Sequence, residues 1–295
     1  RHEQTGQNGV MKVVTEDQLR FYRDHGYVHL RGVLPAELIE LSKRVLARWV
    51  DSKVNQWIEE GRLEERGEER GEDLPFGRRL MVLWEKAGKP KYVRSPRAEI
   101  VSCETWEILR HPALVDIAED LIGTPELSCH SVFNARPKLP NQRWTDTPWH
   151  QDALYTGISP HHHVPSFWFP MQRVTKRNSC LGVQADYHEG KLFEPYEDED
   201  TGFRGISPED RKQLVSTPVE MEAGDLLCFT SLTPHHAYTN ESDAARFSLD
   251  IRYEATEAVD PDGEGRGFVV RSLADPSTEE SCEAWMAKGW EGRAY

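Results

Sequence analysis

Hydrophobic and polar positions follow two different rhythms along the chain, and the change falls near residue 127. In the front part the spacing is helical. Thr15 is an N-cap followed by the acidic first-turn residues Glu16 and Asp17, and Leu19, Phe21 and Tyr22 suit a short helix ending before Gly26. Residues 27–33 alternate as a strand, and Pro35 opens a second helix on which Leu38, Ile39, Leu41, Val45, Leu46 and Trp49 recur at helical intervals. A further helix is expected at about residues 111–122, stopped by Gly123 and Pro125. Between them, residues 59–73 form a run of Glu, Arg and Gly with almost no apolar content, expected to be a solvated helix end or mobile loop, with a lid over a site as the alternative.

Beyond residue 127 the pattern becomes short and β-rich: 127–136, 144–152, 165–174, 180–185, 216–221, 226–230 and 245–253, broken by Pro, Gly, Asn and Asp. Repeated short strands with turn signals between them predict a sandwich or barrel, not a parallel α/β sheet. The expected fold class is mainly β with flanking α-helices.

At 295 residues and 38% hydrophobic, the chain suits one large core, so a single domain is expected. No run reaches the roughly 20 apolar residues of a membrane span, and no early segment has a signal-peptide layout, so the default expectation is cytoplasmic. Five widely spaced cysteines without a Cys-X-X-Cys pair suggest reduced, buried thiols and neither a disulfide framework nor a structural zinc site. A net charge of −14 argues against nucleic-acid and membrane partners and leaves a small-molecule substrate as the expected partner. Residues 1–10 are polar and patternless, and are expected to be a disordered arm or expression remnant.

Candidate chemistry centres on Trp149-His150-Gln151-Asp152. In extended backbone, residues two apart point to the same side, so His150 and Asp152 can reach one ion while Gln151 faces away. Two His and one carboxylate on one face of a metal leave three adjacent positions for a bidentate cosubstrate and dioxygen. The third ligand must come from a distant strand, and the apolar segment 226–229 leads into His235 and His236, only one of which can face the ion. Eleven residues beyond His235, Arg246 opens a segment in which Ser248, Asp250 and Arg252 share its face. A guanidinium suits the far carboxylate of a metal-bound ketoacid.

The run Asp146-Thr147-Pro148-Trp149-His150-Gln151-Asp152-Ala153-Leu154-Tyr155, with Gly224-Asp225, Phe229, His235, Asn240, Ser242, Arg246 and the ending Ser248-Leu249-Asp250-Ile251-Arg252-Tyr253, resembles the phytanoyl-CoA dioxygenase family of 2-oxoglutarate oxygenases. The similarity extends over about residues 11–254. It implies a double-stranded β-helix, the jelly-roll or cupin-like sandwich, with a helical front portion at 11–126, a jelly-roll core at 127–254 and a C-terminal extension at 255–295 of one oxygenase domain spanning 11–295. It also implies Fe(II), 2-oxoglutarate and dioxygen as cofactor and cosubstrates, with His150, Asp152 and His235 as metal ligands and catalytic centre, and Arg246 as the clamp on 2-oxoglutarate. By the same resemblance, Trp168 lies against the cosubstrate or substrate, Asn134, two before the Arg136-Pro137 step, faces the cosubstrate, and Tyr155 lines the cavity. Two departures stand out: Ala237 where many relatives place a hydroxyl residue, and Asp186-Tyr187-His188 in place of Gly-Ser-His.

The implied reaction is hydroxylation of an aliphatic carbon of a small metabolite or natural-product intermediate, with 2-oxoglutarate converted to succinate and carbon dioxide. Desaturation or ring formation are the alternatives, and retention of Asp152 disfavours halogenation, which in related halogenases uses a vacated carboxylate position. A cupin-like metal enzyme without 2-oxoglutarate and a non-catalytic metal- or metabolite-binding relative are the rival readings. Among the remaining features, Arg252 is expected to form a salt bridge at the sandwich rim, and His161, His162 and His163 to be a loop with substrate contact as a further role. The aromatics Trp144, Trp149, Phe167, Trp168 and Phe169 are expected mainly in the core, Asn178-Ser179 as a turn, and residues 194–200 as a solvated loop.

Overall fold

The structure, a computed structural model, describes residues 11–64, 70–92, 95–156, 163–199, 201–259 and 267–288. The expected arm at 1–10, residues His161 and His162 and part of the 59–73 run lie outside these. Helix α1 (Glu16–His25) starts in a reciprocal capping box, Gln18 N–H donating to the Thr15 hydroxyl and Thr15 N–H to the Gln18 side chain, at 3.2 and 2.9 Å. It ends at Gly26, whose φ of 79° is left-handed and whose missing Cβ would otherwise meet His188 Cβ at 2.4 Å. The Gly26 carbonyl then accepts from Thr230 N–H and the Thr233 hydroxyl, fixing the segment that leads into His235.

Strand β1 (Tyr27–Leu30) is followed by α2 (Ala36–Glu59), which buries Leu38, Ile39, Val45, Leu46 and Trp49 as its spacing predicted. Helices α3 (Phe76–Lys86) and α4 (Cys103–Leu109) were not foreseen; both are short and sit among charged residues. Helix α5 (Pro112–Ile122) is capped by His111 and closed by left-handed Gly123.

The β portion comprises β2 (Leu127–Cys129), β3 (Asn134–Ala135), a short helix α6 (Ala153–Thr156), β4 (Ser166–Pro170), β5 (Leu181–Val183), β6 (Tyr196–Asp198), β7 (Phe203–Gly205), α7 (Pro208–Arg211), β8 (Thr217–Val219), β9 (Leu226–Phe229), β10 (His235–Ala237) and β11 (Ser248–Ala255). Strand β12 (Phe268–Arg271) and helix α8 (Cys282–Met286) complete it. A seven-stranded antiparallel sheet runs β1-β9-β4-β11-β2-β12, with β3 also paired to β11. Strands β10-β5-β8 form a second, three-stranded antiparallel sheet, and β6-β7 a hairpin. Two expectations change. Residues 144–152 are not a strand but a single turn at Arg143–Thr145 and an extended run that meets β10 through the His150–His235 bridge and the Ala237 N–H to Thr147 O bond, with Pro148 between them offering no donor to continue a ladder. Part of the expected loop at 194–200 is strand β6.

Period-two alternation splits each strand of the larger sheet between two cores. Phe167, Phe169, Leu226, Cys228, Leu249, Ile251 and Tyr253 pack with the helices, whereas Trp168, Leu227 and Phe229 pack with Leu181, Val183, Val219 and Ala237 of the smaller sheet. Polar members of the second set, notably Ser166, Ser248, Asp250 and Arg252, are buried between the sheets. No helix among the described residues is long and apolar enough to cross a membrane.

The cysteine expectation holds for Cys129, Cys180 and Cys228, which are free and buried, and fails for the other two. Cys103 on α4 and Cys282 on α8 form a disulfide with Cα atoms 5.5 Å apart. Their separation of 179 residues carries no spacing motif, so only the packing of the two helices brings them together.

Candidate metal centre

His150 and His235 meet from opposite directions. Their backbones form a two-way antiparallel bridge, each N–H donating to the other's carbonyl at 3.0 Å, and their ring centroids are 4.1 Å apart. Each Nδ1 lies within hydrogen-bond distance of a carbonyl two residues earlier, Pro148 O at 2.8 Å for His150 and Thr233 O at 3.0 Å for His235. A carbonyl only accepts, so the proton sits on Nδ1 and each Nε2 presents a lone pair inward. Both point at Asp152 Oδ1, at 3.6 Å from His150 Nε2 and 3.8 Å from His235 Nε2. One ligand atom from each of the three buried residues thus lies within 4.8 Å of the others, a donor set of two neutral imidazoles and a carboxylate that could hold a metal ion. His236 faces away, hydrogen-bonded to Ser216 and packed on Trp149, so of the two histidines His235 is the one that joins the group.

The other oxygen of Asp152 is committed to the larger sheet. Oδ2 accepts from Arg252 Nε at 3.0 Å, Arg252 Nη2 at 2.6 Å and the Ser166 hydroxyl at 2.5 Å. Arg252 also donates through Nη1 to Asp250 at 2.8 Å. Burial opposes the charge on Asp152, but the Arg252 guanidinium outweighs it and holds the carboxyl well below the usual range. For His235, burial and the neighbouring His150 push the imidazole down to about 3, keeping it neutral. Arg252 is therefore not at a rim as expected; it is buried and fixes the carboxylate that completes the donor set, because residue 252 shares its face with residue 250 and both turn inward.

Arg246 is almost fully buried in the adjoining cavity, 5.4 Å from the Trp168 ring. Its Nε donates to Ser179 O at 3.0 Å, Nη2 to the Ser179 hydroxyl at 3.2 Å and Nη1 to the Ser248 hydroxyl at 2.5 Å. Among the described residues, no carboxylate forms an ion pair with it. Burial and nearby Arg136 lower its guanidinium to about 9, so it sits where an incoming carboxylate would relieve both costs. Ser179, read from sequence as part of a turn, owes this role to a left-handed φ of 73°, which aims its carbonyl and hydroxyl at Arg246.

A second cavity opens on the other side of His150 and Asp152. Tyr155 and Asn134 border this cavity and not the one holding Arg246; Trp168 borders the latter. Asn134 donates to Asp250 at 2.7 Å and accepts from Ser95 and Arg97 at 2.7 and 2.9 Å. Sequence reasoning missed several site residues, among them Ser166, Lys138, Arg97 and Phe203, whose ring centroid lies 5.1 Å from that of His150. Ser166 was within reach, being two residues from Trp168 on one strand; Arg97 and Phe203 come from segments whose placement no local pattern reveals. Ala237 lines the cavity of Arg246, and the Asp186 segment is a loop paired to His25.

The family model described as phytanoyl-CoA dioxygenase matches residues 22–248. A probable phytanoyl-CoA dioxygenase of Caenorhabditis elegans is 23% identical over 253 residues, covering 82% of this chain and 75% of that protein. The 1-deoxypentalenic acid 11-beta-hydroxylase of Streptomyces arenae is 25% identical over 283 residues, covering 91% of this chain and 89% of the relative. Among solved structures, the epimerase SnoN in complex with Fe3+, alpha ketoglutarate and nogalamycin RO aligns with a TM-score of 0.55 at 19% identity, covering 90% of this chain and 89% of that one, a likeness of fold.

Proposed function

Since the chain belongs to the phytanoyl-CoA dioxygenase family and is a non-haem Fe(II)- and 2-oxoglutarate-dependent oxygenase, we propose that it hydroxylates an aliphatic carbon of a small metabolite or natural-product intermediate. The observation that carries this reading is the meeting of His150, Asp152 and His235 beside a cavity that the buried cation Arg246 also lines. Residues 127–254 would be the jelly-roll core of a single oxygenase domain at 11–295, with β1 from the helical front portion and β12 from the C-terminal extension added to its larger sheet. His150, Asp152 and His235 would hold the iron, and Arg246 the distal carboxylate of 2-oxoglutarate. Iron bound there supplies oxidation by dioxygen, coupled to conversion of 2-oxoglutarate to succinate and carbon dioxide.

The chain's own residues contribute position and shielding. Arg252 and Ser166 hold one oxygen of Asp152, so its other oxygen keeps its place toward both imidazoles. Trp168, Leu181, Phe229 and Ala237 give the cavity apolar walls, which exclude water and strengthen the attraction of the Arg246 guanidinium for a carboxylate. The hydroxylase of Streptomyces arenae supports hydroxylation as the outcome. The test is incubation with Fe(II), 2-oxoglutarate and a metabolite extract, with succinate and product masses followed by mass spectrometry. A compound gaining one oxygen in step with succinate is expected; iron-independent change, or loss of two hydrogens alone, overturns the reading.

A further inference from the structure

Two cavities flank the candidate metal centre, and their linings carry five cationic side chains, Arg97, Arg136, Lys138, Arg246 and Arg252, against two carboxylates, Asp152 and Asp250. Asp146, outside both linings, acts on Lys138 and Arg246 and brings the surplus to two positive charges, in a chain whose net charge is −14. A divalent metal and doubly charged 2-oxoglutarate cancel one another and leave the excess standing. Confined charge of one sign between low-dielectric walls favours a ligand of the other sign.

The cations differ in how they are occupied. Arg252 spends Nε and both terminal nitrogens on Asp152, Asp250 and Val132 O, and Arg246 spends its three on Ser179, Ser248 and Arg136 O. Arg97 is tied through Nε and Nη2 to Phe133 O and Asn134. Arg136 donates only its Nε, to Asp250 at 3.0 Å, and no acceptor among the described residues is hydrogen-bonded to its two terminal amino groups. It alone of the residues with a spare pair of parallel donors lines both cavities, and its guanidinium lies 5.9 Å from the Phe203 ring, which in turn packs on His150. One nitrogen anchored by a carboxylate and two without a protein acceptor among the described residues, on a side chain that lines both cavities, is the arrangement that can grip an oxyanion bidentately.

We propose that Arg136 is the specificity-determining anchor for an acidic group, a carboxylate or phosphonate, on the primary substrate, which holds the reacting carbon beside His150. This rests on the oxygenase reading above and adds the substrate's chemical class to it. The experiment uses the full chain loaded with Mn(II) as a redox-inert stand-in and with 2-oxoglutarate, titrated calorimetrically with cyclohexanecarboxylate, cyclohexylphosphonate and the neutral cyclohexanecarboxamide. Loading is measured first: if wild-type protein fails to take up Mn(II) and 2-oxoglutarate, the oxygenase reading itself falls.

With loading intact, at least one anion should bind about tenfold or more tightly than the amide, and which anion it is distinguishes carboxylate from phosphonate substrates. In Arg136→Gln the preference should collapse to within about twofold, Arg136→Lys should retain part of it, and the affinity for 2-oxoglutarate should stay within about twofold in both. Equal binding of anion and amide, or no anion binding up to about 50 mM, overturns the anchor. So does a loss of 2-oxoglutarate affinity matching the loss of anion preference, since the guanidinium would then serve the cosubstrate. Should Arg136→Gln fail to fold, the comparison of wild type with Arg136→Lys decides by the same criteria.

Discussion

Asp152 and Arg246 occupy opposite electrostatic situations at similar depth. The carboxylate is paired with the Arg252 guanidinium, whereas the Arg246 guanidinium is held by neutral oxygens. A buried charge held by neutral oxygens is costly unless a counter-ion arrives, so ligand binding should gain what folding has forgone. Replacing Arg246 with Leu is therefore expected to raise the apparent KM for 2-oxoglutarate by about ten- to a hundredfold while leaving Mn(II) affinity within about twofold, read by succinate release and by calorimetry. Glu254, two residues past Arg252, is a different case. Burial raises its carboxyl from 4.5 to about 7, so the folded state favours the neutral form. Its stabilising contribution is complete below about pH 4.5 and is lost as pH rises through 7, a fall of up to about 3 kcal/mol. Glu254→Gln should flatten that slope in urea denaturation curves recorded between pH 5 and 8.

At the level of elements, α8 acts on the site through aromatic packing. Trp285 lies 5.9 Å from Phe133 and 5.7 Å from Phe268 between ring centroids, and the Phe133 carbonyl receives the Arg97 side chain at 2.7 Å. The disulfide from Cys282 to Cys103 clamps this helix to α4 and closes a loop of 179 residues. The entropy of so long a loop corresponds to about 5 kcal/mol, so Cys103→Ser with Cys282→Ser should lower the unfolding free energy by up to about 5 kcal/mol in urea without reducing agent. Metal affinity should hardly change, because none of the three donor residues lies on α4 or α8. The β6-β7 hairpin works similarly from the other side: Ile206 N–H donates to Trp149 O at 2.7 Å, which seats Phe203 against His150.

For the whole molecule, the donor set is a joint between sheets. His235 belongs to the three-stranded sheet, while Asp152 is tied by Ser166 and Arg252 to the seven-stranded one. Mn(II) at about a hundred times its dissociation constant should then stabilise the protein by about 2.7 kcal/mol, with a rise in Tm that a chelator reverses and that His235→Ala abolishes. Much of this design was legible along the chain. The front helices α1, α2 and α5, the antiparallel β character and the pairing of His150 with Asp152 on one side all follow from local periodicity, which a side chain's rotation about its own backbone imposes. So does the inward stripe of Ser248, Asp250 and Arg252, although its partners do not. That Arg252 grips Asp152, that Ser179 cradles Arg246, that Phe203 and Arg97 wall the second cavity and that Cys103 meets Cys282 depend on which strands and helices become neighbours. Short-range sterics and alternation set the face on which each residue stands, so the sequence by itself determined the elements and their chemistry. Long-range packing of separately formed faces chose the partners, and only the tertiary structure decided those.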